Sequence, residues 1–304
     1  MANTPLRNCL LETLAYYDVF SYPLTQKEFV AKVSCRANPL EVAQELDLLI
    51  ANGLIFRIGE FFSLRNDPSL EKRRQQGNQL AHSLIAVAKT KATFIGRFPF
   101  VQGIFISGSL SKNYADSKSD LDFFVITAPG RLWVARSVFI LYRKFFILRK
   151  NFKHYCLNYF VAEDHLTIEE QNLFTATELA TLIPVYGNYH QRLMDANRWL
   201  LKWLPNQPMD MPQHPLEKKP FVKKFFEKVL NLFGSHLDSL LMRLTLKKFK
   251  WKHTEKFSKQ DFAIAFKSTK QVSKSHEGHN QKRVMALYEE RIRSLRHRYQ
   301  PAEL

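Results

Sequence analysis

The 304-residue chain is poor in the residues that staple small folds or build metal cages. Cysteine occurs three times, at Cys9, Cys35 and Cys156, with no C-x-x-C spacing. That odd, scattered set excludes a disulfide scaffold and a cysteine-based zinc site, and it fits a reducing cytoplasm. No H-E-x-x-H occurs among the ten histidines, and His276, His279 and nearby Lys274 lack metal-ligand spacing. Long apolar runs are missing too. The most apolar stretch, Val138 to Leu148, is interrupted by Arg143 and Lys144. It falls short of the about 20 residues that a bilayer span needs. Met1 to Leu14 has no basic segment followed by a clean apolar run, so no targeting segment is expected and the expected location is cytoplasmic. There is no internal repeat and no low-complexity tract.

Positive charge is what the chain has in excess. Lys and Arg number 45 against 28 Asp and Glu, a formal net charge of +17. Such a surplus suits polyanionic partners: nucleic acid, nucleotide phosphates or an anionic membrane surface. It is unevenly spread. Residues 1–66 carry 6 basic and 7 acidic side chains, residues 67–205 carry 18 and 11, and residues 206–304 carry 21 and 10. With 45% hydrophobic residues and 25 phenylalanines, the composition is globular and predicts an aromatic-rich core; it excludes a disordered or collagen-like chain. The length suits two or three domains.

Residues 1–66 read as three helices and a hairpin. Leu10, Leu11, Leu14 and Tyr17 recur at helical spacing. Pro23 is expected to open a second helix over Leu24 to Val33, and Pro39 a third over Leu40 to Ala51, closed by Asn52-Gly53. Strand, turn and strand follow over Leu54 to Ile58, Gly59-Glu60 and Phe61 to Leu64. This order resembles a winged helix-turn-helix. The third helix carries Glu41, Glu45 and Asp47 and no Lys or Arg, so it would be repelled by DNA phosphates; residues 1–66 are expected to be a packing module without DNA binding. A connecting helix spans residues 67–97. Residues 98–205 alternate strands (Val101 to Ile106, Phe123 to Ile126, His154 to Val161) with helices, among them a largely buried one over Arg131 to Lys150. Five prolines between Pro205 and Pro220 mark a linker. Residues 206–304 read as a basic helical C-terminal domain. Its stripe of Phe221, Phe225, Val229, Leu232, Phe233, Leu237, Leu240, Leu241 and Leu244 predicts a core-packed helix with a solvated lysine face, in preference to a membrane-surface helix.

The chemistry lies in Ile104 to Ile126. An apolar strand runs into Gly108-Ser109, and Asp120-Leu-Asp122 opens a second apolar strand. Residues i and i+2 of a strand share a face, so Asp120 and Asp122 point the same way and repel unless a hard cation sits between them. Mg²⁺ takes one or two carboxylates together with substrate phosphates. Gly108 lets backbone approach a phosphate, Ser109 offers a hydroxyl and an N–H, and a helix starting there adds a favourable field.

This stretch resembles the DNA polymerase beta superfamily of nucleotidyltransferases, and within it the minimal nucleotidyltransferase pattern G-S-x-A-R-G-x-A-x-x-x-S-D-I-D. Here it reads Gly108-Ser109-Leu110-Ser111-Lys112-Asn113-Tyr114-Ala115 and then Ser119-Asp120-Leu121-Asp122, without a gap. Asn113 stands where a glycine is usual and tolerates the left-handed conformation. The resemblance covers about 25 residues closely and 98–200 plausibly. It implies an α+β protein: a winged helix, a nucleotidyltransferase-like mixed sheet with helices, and the helical C-terminal domain. The implied activity is Mg²⁺- or Mn²⁺-dependent transfer of a nucleoside monophosphate from a nucleoside triphosphate, ATP among them, to an acceptor hydroxyl on a small molecule, protein or RNA. Asp120 and Asp122 would be catalytic and hold metal; Gly108, Ser109, Lys112 and Asn158 would hold the nucleotide. The superfamily's third carboxylate falls on a later strand, where this chain has Asn158; Glu163 and Asp164, just past that strand, are the substitutes within reach. The alternatives are a catalytically weak nucleotide-binding or regulatory protein of the same fold, and a nucleic-acid-binding protein using the basic C-terminal half.

Overall fold

A computed structural model describes residues 5–147, 155–210, 220–253, 257, 258, 262, 265–275 and 280–299. His276 and His279 lie outside the described residues, as does most of the proline-rich stretch. The fold is mixed α+β, with two sheets. Among the described residues, no helix is long and apolar enough to cross a membrane.

The first unit contains α1 (Pro5–Asp18), β1 (Leu24–Thr25), α2 (Gln26–Lys32), α3 (Pro39–Ala51), β2 (Phe56–Ile58) and β3 (Phe61–Ser63). The second helix starts later than Pro23 suggests. Leu24 and Thr25 pair with Phe62 and Phe61 of β3, which makes an antiparallel sheet in the order β1-β3-β2. Thr25 then caps α2 reciprocally with Glu28, a T-x-x-E box legible in the sequence. Asn38 caps α3 in the same way with Glu41, and Pro39 occupies the first turn. The acidic face of α3 is not uniformly solvated, because Glu45 is buried against Arg7 at 2.8 Å.

Helix α4 (Ser69–Gly96) leads to the five-stranded sheet. That sheet has the order β7-β4-β5-β6-β8, with β4 (Val101–Ser107), β5 (Leu121–Thr127), β6 (Tyr155–Ala162), β7 (Ile183–Tyr186) and β8 (Val272–Lys274). Only the β5–β6 pair is parallel. Helices α5 (Gly108–Ser111), α6 (Leu132–Ile147), α7 (Leu173–Ala180) and α8 (His190–Ala196) fill the connections. The central strands are buried on both faces and read as continuous apolar runs. Sequence reasoning expects neither β7 nor β8. Both are short edge strands, and β7 holds Pro184, which an edge tolerates.

Residues 206–304, expected to be helical, supply strand β8 as well as α9 (Phe221–Asn231), α10 (Gly234–His253) and α11 (Asn280–Tyr299). Helix α11 covers the first unit: Val284 joins its core, and Arg291 reaches Asp18 at 2.9 Å. The expected buried apolar stripe holds in α10, where Leu237 and Leu241 pack against the core, and is reversed in α9. Its buried residue is Lys223, whose ammonium donates to the carbonyls of Gly96 and Val101, while Phe221, Phe225 and Leu232 are exposed. Glu227 accepts the Phe100 N–H at 2.8 Å, and Asn231 accepts from Arg131 at 2.8 Å. Residues 223, 227 and 231 share one helix face, so the polar face is the docked one.

Arg74 ties α4 to the first unit. It is buried, donates to Glu28 at 2.5 Å and lies 3.7 Å above the Tyr22 ring. Burial raises the Glu28 pKa, but Lys32, Arg74 and the Thr25 N–H outweigh it and leave the group below its ordinary value. A depressed carboxylate contributes stability above its unfolded pKa and loses it as pH falls through the folded one. Glu28→Gln should therefore cost about 1–3 kcal/mol at neutral pH. The difference from the parent should shrink as urea unfolding is repeated at lower pH through the carboxylate range.

Candidate functional site

The site forms where β4 ends and β5 begins. Ser107, the last residue of β4, stands opposite Asp122 in antiparallel register. The chain then turns at Gly108, whose φ of 68° is open to glycine at no steric cost. A Cβ on Gly108 would collide with the Asp122 carboxylate. The missing side chain is therefore what lets the turn lie directly against that aspartate. Helix α5 begins at Gly108, but it is a single turn with no side-chain cap, so its dipole contributes little.

The Gly108 carbonyl is held from two sides, by the Ser111 hydroxyl at 2.8 Å and the Lys112 ammonium at 3.0 Å. Lys112 also pairs with Glu178 of α7 at 2.8 Å. It thus buttresses the turn from behind. Asn113 takes φ 56°, the left-handed conformation expected of it. The following loop is closed by Asp116, which accepts from the Lys118 N–H and the Ser119 hydroxyl. Tyr22 of the first unit donates to the Lys112 carbonyl at 2.6 Å, and the Ala115 N–H donates to Gly77 in α4 at 3.1 Å. Three separate parts of the chain therefore fix one loop.

Asp120 is exposed and Asp122 half-buried. Burial pushes the Asp122 carboxyl up to about 7, with further upward pressure from Glu178 and Asp120 and opposition from Lys112. Glu178 is invisible as a site residue in the sequence, because α7 lies more than fifty residues on and carries no motif.

The third strand differs from the expectation. In the parallel register of β5 and β6, the partner of Asp122 is Cys156. Asn158 falls at an irregularity, between the pairs Phe123–Leu157 and Phe124–Tyr159. The Cys156 thiol donates to Asp120 at 3.9 Å. Burial pushes its pKa up to about 11, aided by Asp122 and Asp120 and opposed by Arg143, so it remains an S–H donor at neutral pH. Glu163 and Asp164 are at the wrong end of the sheet to replace a carboxylate. The Glu163 N–H donates to Thr127, the last residue of β5, and its side chain accepts from Tyr189. Arg131 also lies away from the site, bonded to Asn231 and Gly130. Among the described residues, no group of three or more His, Cys, Asp and Glu could hold a metal ion. The aspartate pair is a two-carboxylate site.

Comparison with protein-family models, with curated proteins and with solved structures returns no match for this chain. The functional reading therefore stands on its residues and geometry.

Gly108→Ala should cost about 1–2 kcal/mol from the left-handed backbone alone. The added methyl should also push Asp122 away. Urea unfolding measures the first effect, and the chemical shift of the Asp122 carboxyl carbon reports the second.

Proposed function

We propose that the chain is a nucleotidyltransferase that moves a nucleoside monophosphate from a nucleoside triphosphate to an acceptor hydroxyl, with Mg²⁺ or Mn²⁺. One observation carries this reading: a half-buried carboxylate, Asp122, packed directly against the glycine turn that precedes it by fourteen residues, with Asp120 beside it. The winged-helix reading of the first unit is supported by its order of helix, strand, two helices and two strands. Its role in this proposal is to hold the loop through Tyr22, without binding DNA.

The donor set fits a hard divalent cation. It offers carboxylate oxygens; burial is the first cause of the raised Asp122 pKa, and Glu178 and Asp120 add negative charge that a cation would offset. Asp120 and Asp122 would hold the ion. When bound, such an ion supplies Lewis-acid stabilisation of charge on the phosphoryl oxygens. The chain's own residues do the rest. Gly108 brings the turn directly against Asp122, and Ser109, next in the turn, offers its hydroxyl and N–H to a phosphate. Lys112 and Ser111 hold the Gly108 carbonyl, so the turn needs no reorganisation when the nucleotide arrives. Glu178 keeps Lys112 in that role.

A second reading, nucleotide binding with weak transfer, is favoured by Cys156. It stands opposite Asp122, where a carboxylate would help take the acceptor's proton, and it carries a protonated thiol.

Incubation of the protein with each labelled nucleoside triphosphate, Mg²⁺ or Mn²⁺ and a cell extract should transfer label to an acceptor. Asp120→Asn and Asp122→Asn should abolish metal-dependent nucleotide binding and transfer while leaving the melting temperature close to that of the parent. Unchanged binding in both variants overturns the site assignment.

General-base assistance is worth about 10²–10⁴-fold in rate. Cys156→Asp should therefore raise transfer well above the parent, and more than Asn158→Asp does. Fast transfer by the parent with no gain in either variant would show that β6 lends no base.

A further inference from the structure

Helix α9 is built inside out. Its polar residues Lys223, Glu227 and Asn231 are consumed by the strand ends and helix start beneath it. Leu230 packs against the core, but the other large apolar residues of α9 and of the turn after it face solvent: Phe221 is 83% exposed, Leu232 81% and Phe233 59%, with Val222, Phe225 and Phe226 between them. Helix α10 continues the pattern outward with Leu240, Leu244 and Trp251, the last 86% exposed. Each such side chain forfeits about 1.5–3 kcal/mol of burial. The polar anchors hold the helix in this orientation, so the apolar face is a fixed surface of the fold.

The charge around that face has one sign. Residues 221–253 contain eight Lys and Arg and two carboxylates, Glu227 and Asp238. Both carboxylates turn inward, Glu227 to the Phe100 N–H and Asp238 to the Val134 N–H at 2.9 Å. Of the eight cations only Lys223 is buried; Lys224, Lys228, Arg243, Lys247, Lys250 and Lys252 are all exposed. The surface is thus phenylalanine, leucine and tryptophan rimmed by lysine. Cations also crowd one another here: partial burial lowers the Lys248 pKa, and Lys144, Lys252 and Arg136 add to the effect.

We propose that α9, continued by the outward residues of α10, docks on an anionic lipid surface. Apolar side chains beside lysines match acyl chains beneath phosphate headgroups, the pattern of an interfacial helix. A second copy of the chain fits less well, because a two-fold contact would set these lysines against their own equivalents with no outward carboxylate to pair them. Nucleic acid would meet the lysines but would leave the aliphatic residues Val222, Val229, Leu232 and Leu244 without a use.

The test uses the full chain and flotation with vesicles of phosphatidylcholine alone or mixed with phosphatidylglycerol. The protein should float with the mixed vesicles, stay behind with the neutral ones, and be released by salt. The double variant Phe225→Ser/Phe226→Ser should lower partitioning at least about tenfold. Lys224→Glu/Lys228→Glu should remove the preference for anionic vesicles. All four side chains are exposed, so thermal melting should match the parent. Several outcomes would sink the proposal. One is a parent that stays in the soluble fraction with anionic vesicles. Another is a phenylalanine variant that floats as well as the parent. A third is a dimer in vesicle-free sedimentation that the phenylalanine variant dissolves, which gives the face to a second copy. The last is RNA binding in place of vesicle binding, weakened by the lysine variant alone.

Discussion

A glycine turn pressed against a carboxylate sets the geometry on which the rest of the site depends. Gly108 has no side chain to hold Asp122 off, so β4 and β5 can stay paired up to Ser107 and Asp122 while the chain reverses immediately above. The turn is then locked through its carbonyl by Ser111 and Lys112, and Lys112 is itself held by Glu178. Tyr22 fastens the Lys112 backbone from the first unit. Each contact is modest alone, about 1 kcal/mol or so for a neutral hydrogen bond. Together they draw α7, the first unit and the central sheet onto the five residues from Gly108 to Lys112.

Local signals in the sequence served well where a short stretch decides its own structure. Pro39 and Asn52-Gly53 mark the ends of α3, and the apolar runs of β4 and β5 identify central strands. The G-S to S-D-x-D spacing brings its residues to one point because two strands and a loop of fixed length span it. Sequence reasoning failed where partners are remote. Leu24 and Thr25 became a strand because Phe61 and Phe62 lie beside them. Glu178 reaches the site only through the packing of α7. Asn158, expected to face the cleft, falls in a one-residue irregularity of β6, and Cys156 is the residue that pairs with Asp122. No periodicity in the chain announces such a slip.

Helix α9 shows the limit of amphipathic pattern as a guide. A periodic apolar stripe defines a face, but not which way the face turns. Here the sheet beneath presents unpaired backbone groups, namely the carbonyls of Gly96 and Val101 and the Phe100 N–H. Leaving such groups buried and unsatisfied costs about 1–3 kcal/mol each. Lysine and glutamate satisfy them and phenylalanine cannot, so hydrogen-bond accounting overrides the hydrophobic stripe.

Strand β4 connects these two parts of the molecule, since it begins beside Lys223 and ends at Gly108. Seven extended residues set roughly 20 Å between its ends. A flat boundary resting on the outer side of α9 is therefore held a strand's length away from the aspartate pair. A reactive group embedded in that boundary would have to cross the full height of the sheet to meet Asp122. A dissolved molecule approaches the same carboxylates from open water. For the transfer activity proposed above, the length of one strand would sort acceptors by phase and favour those that diffuse.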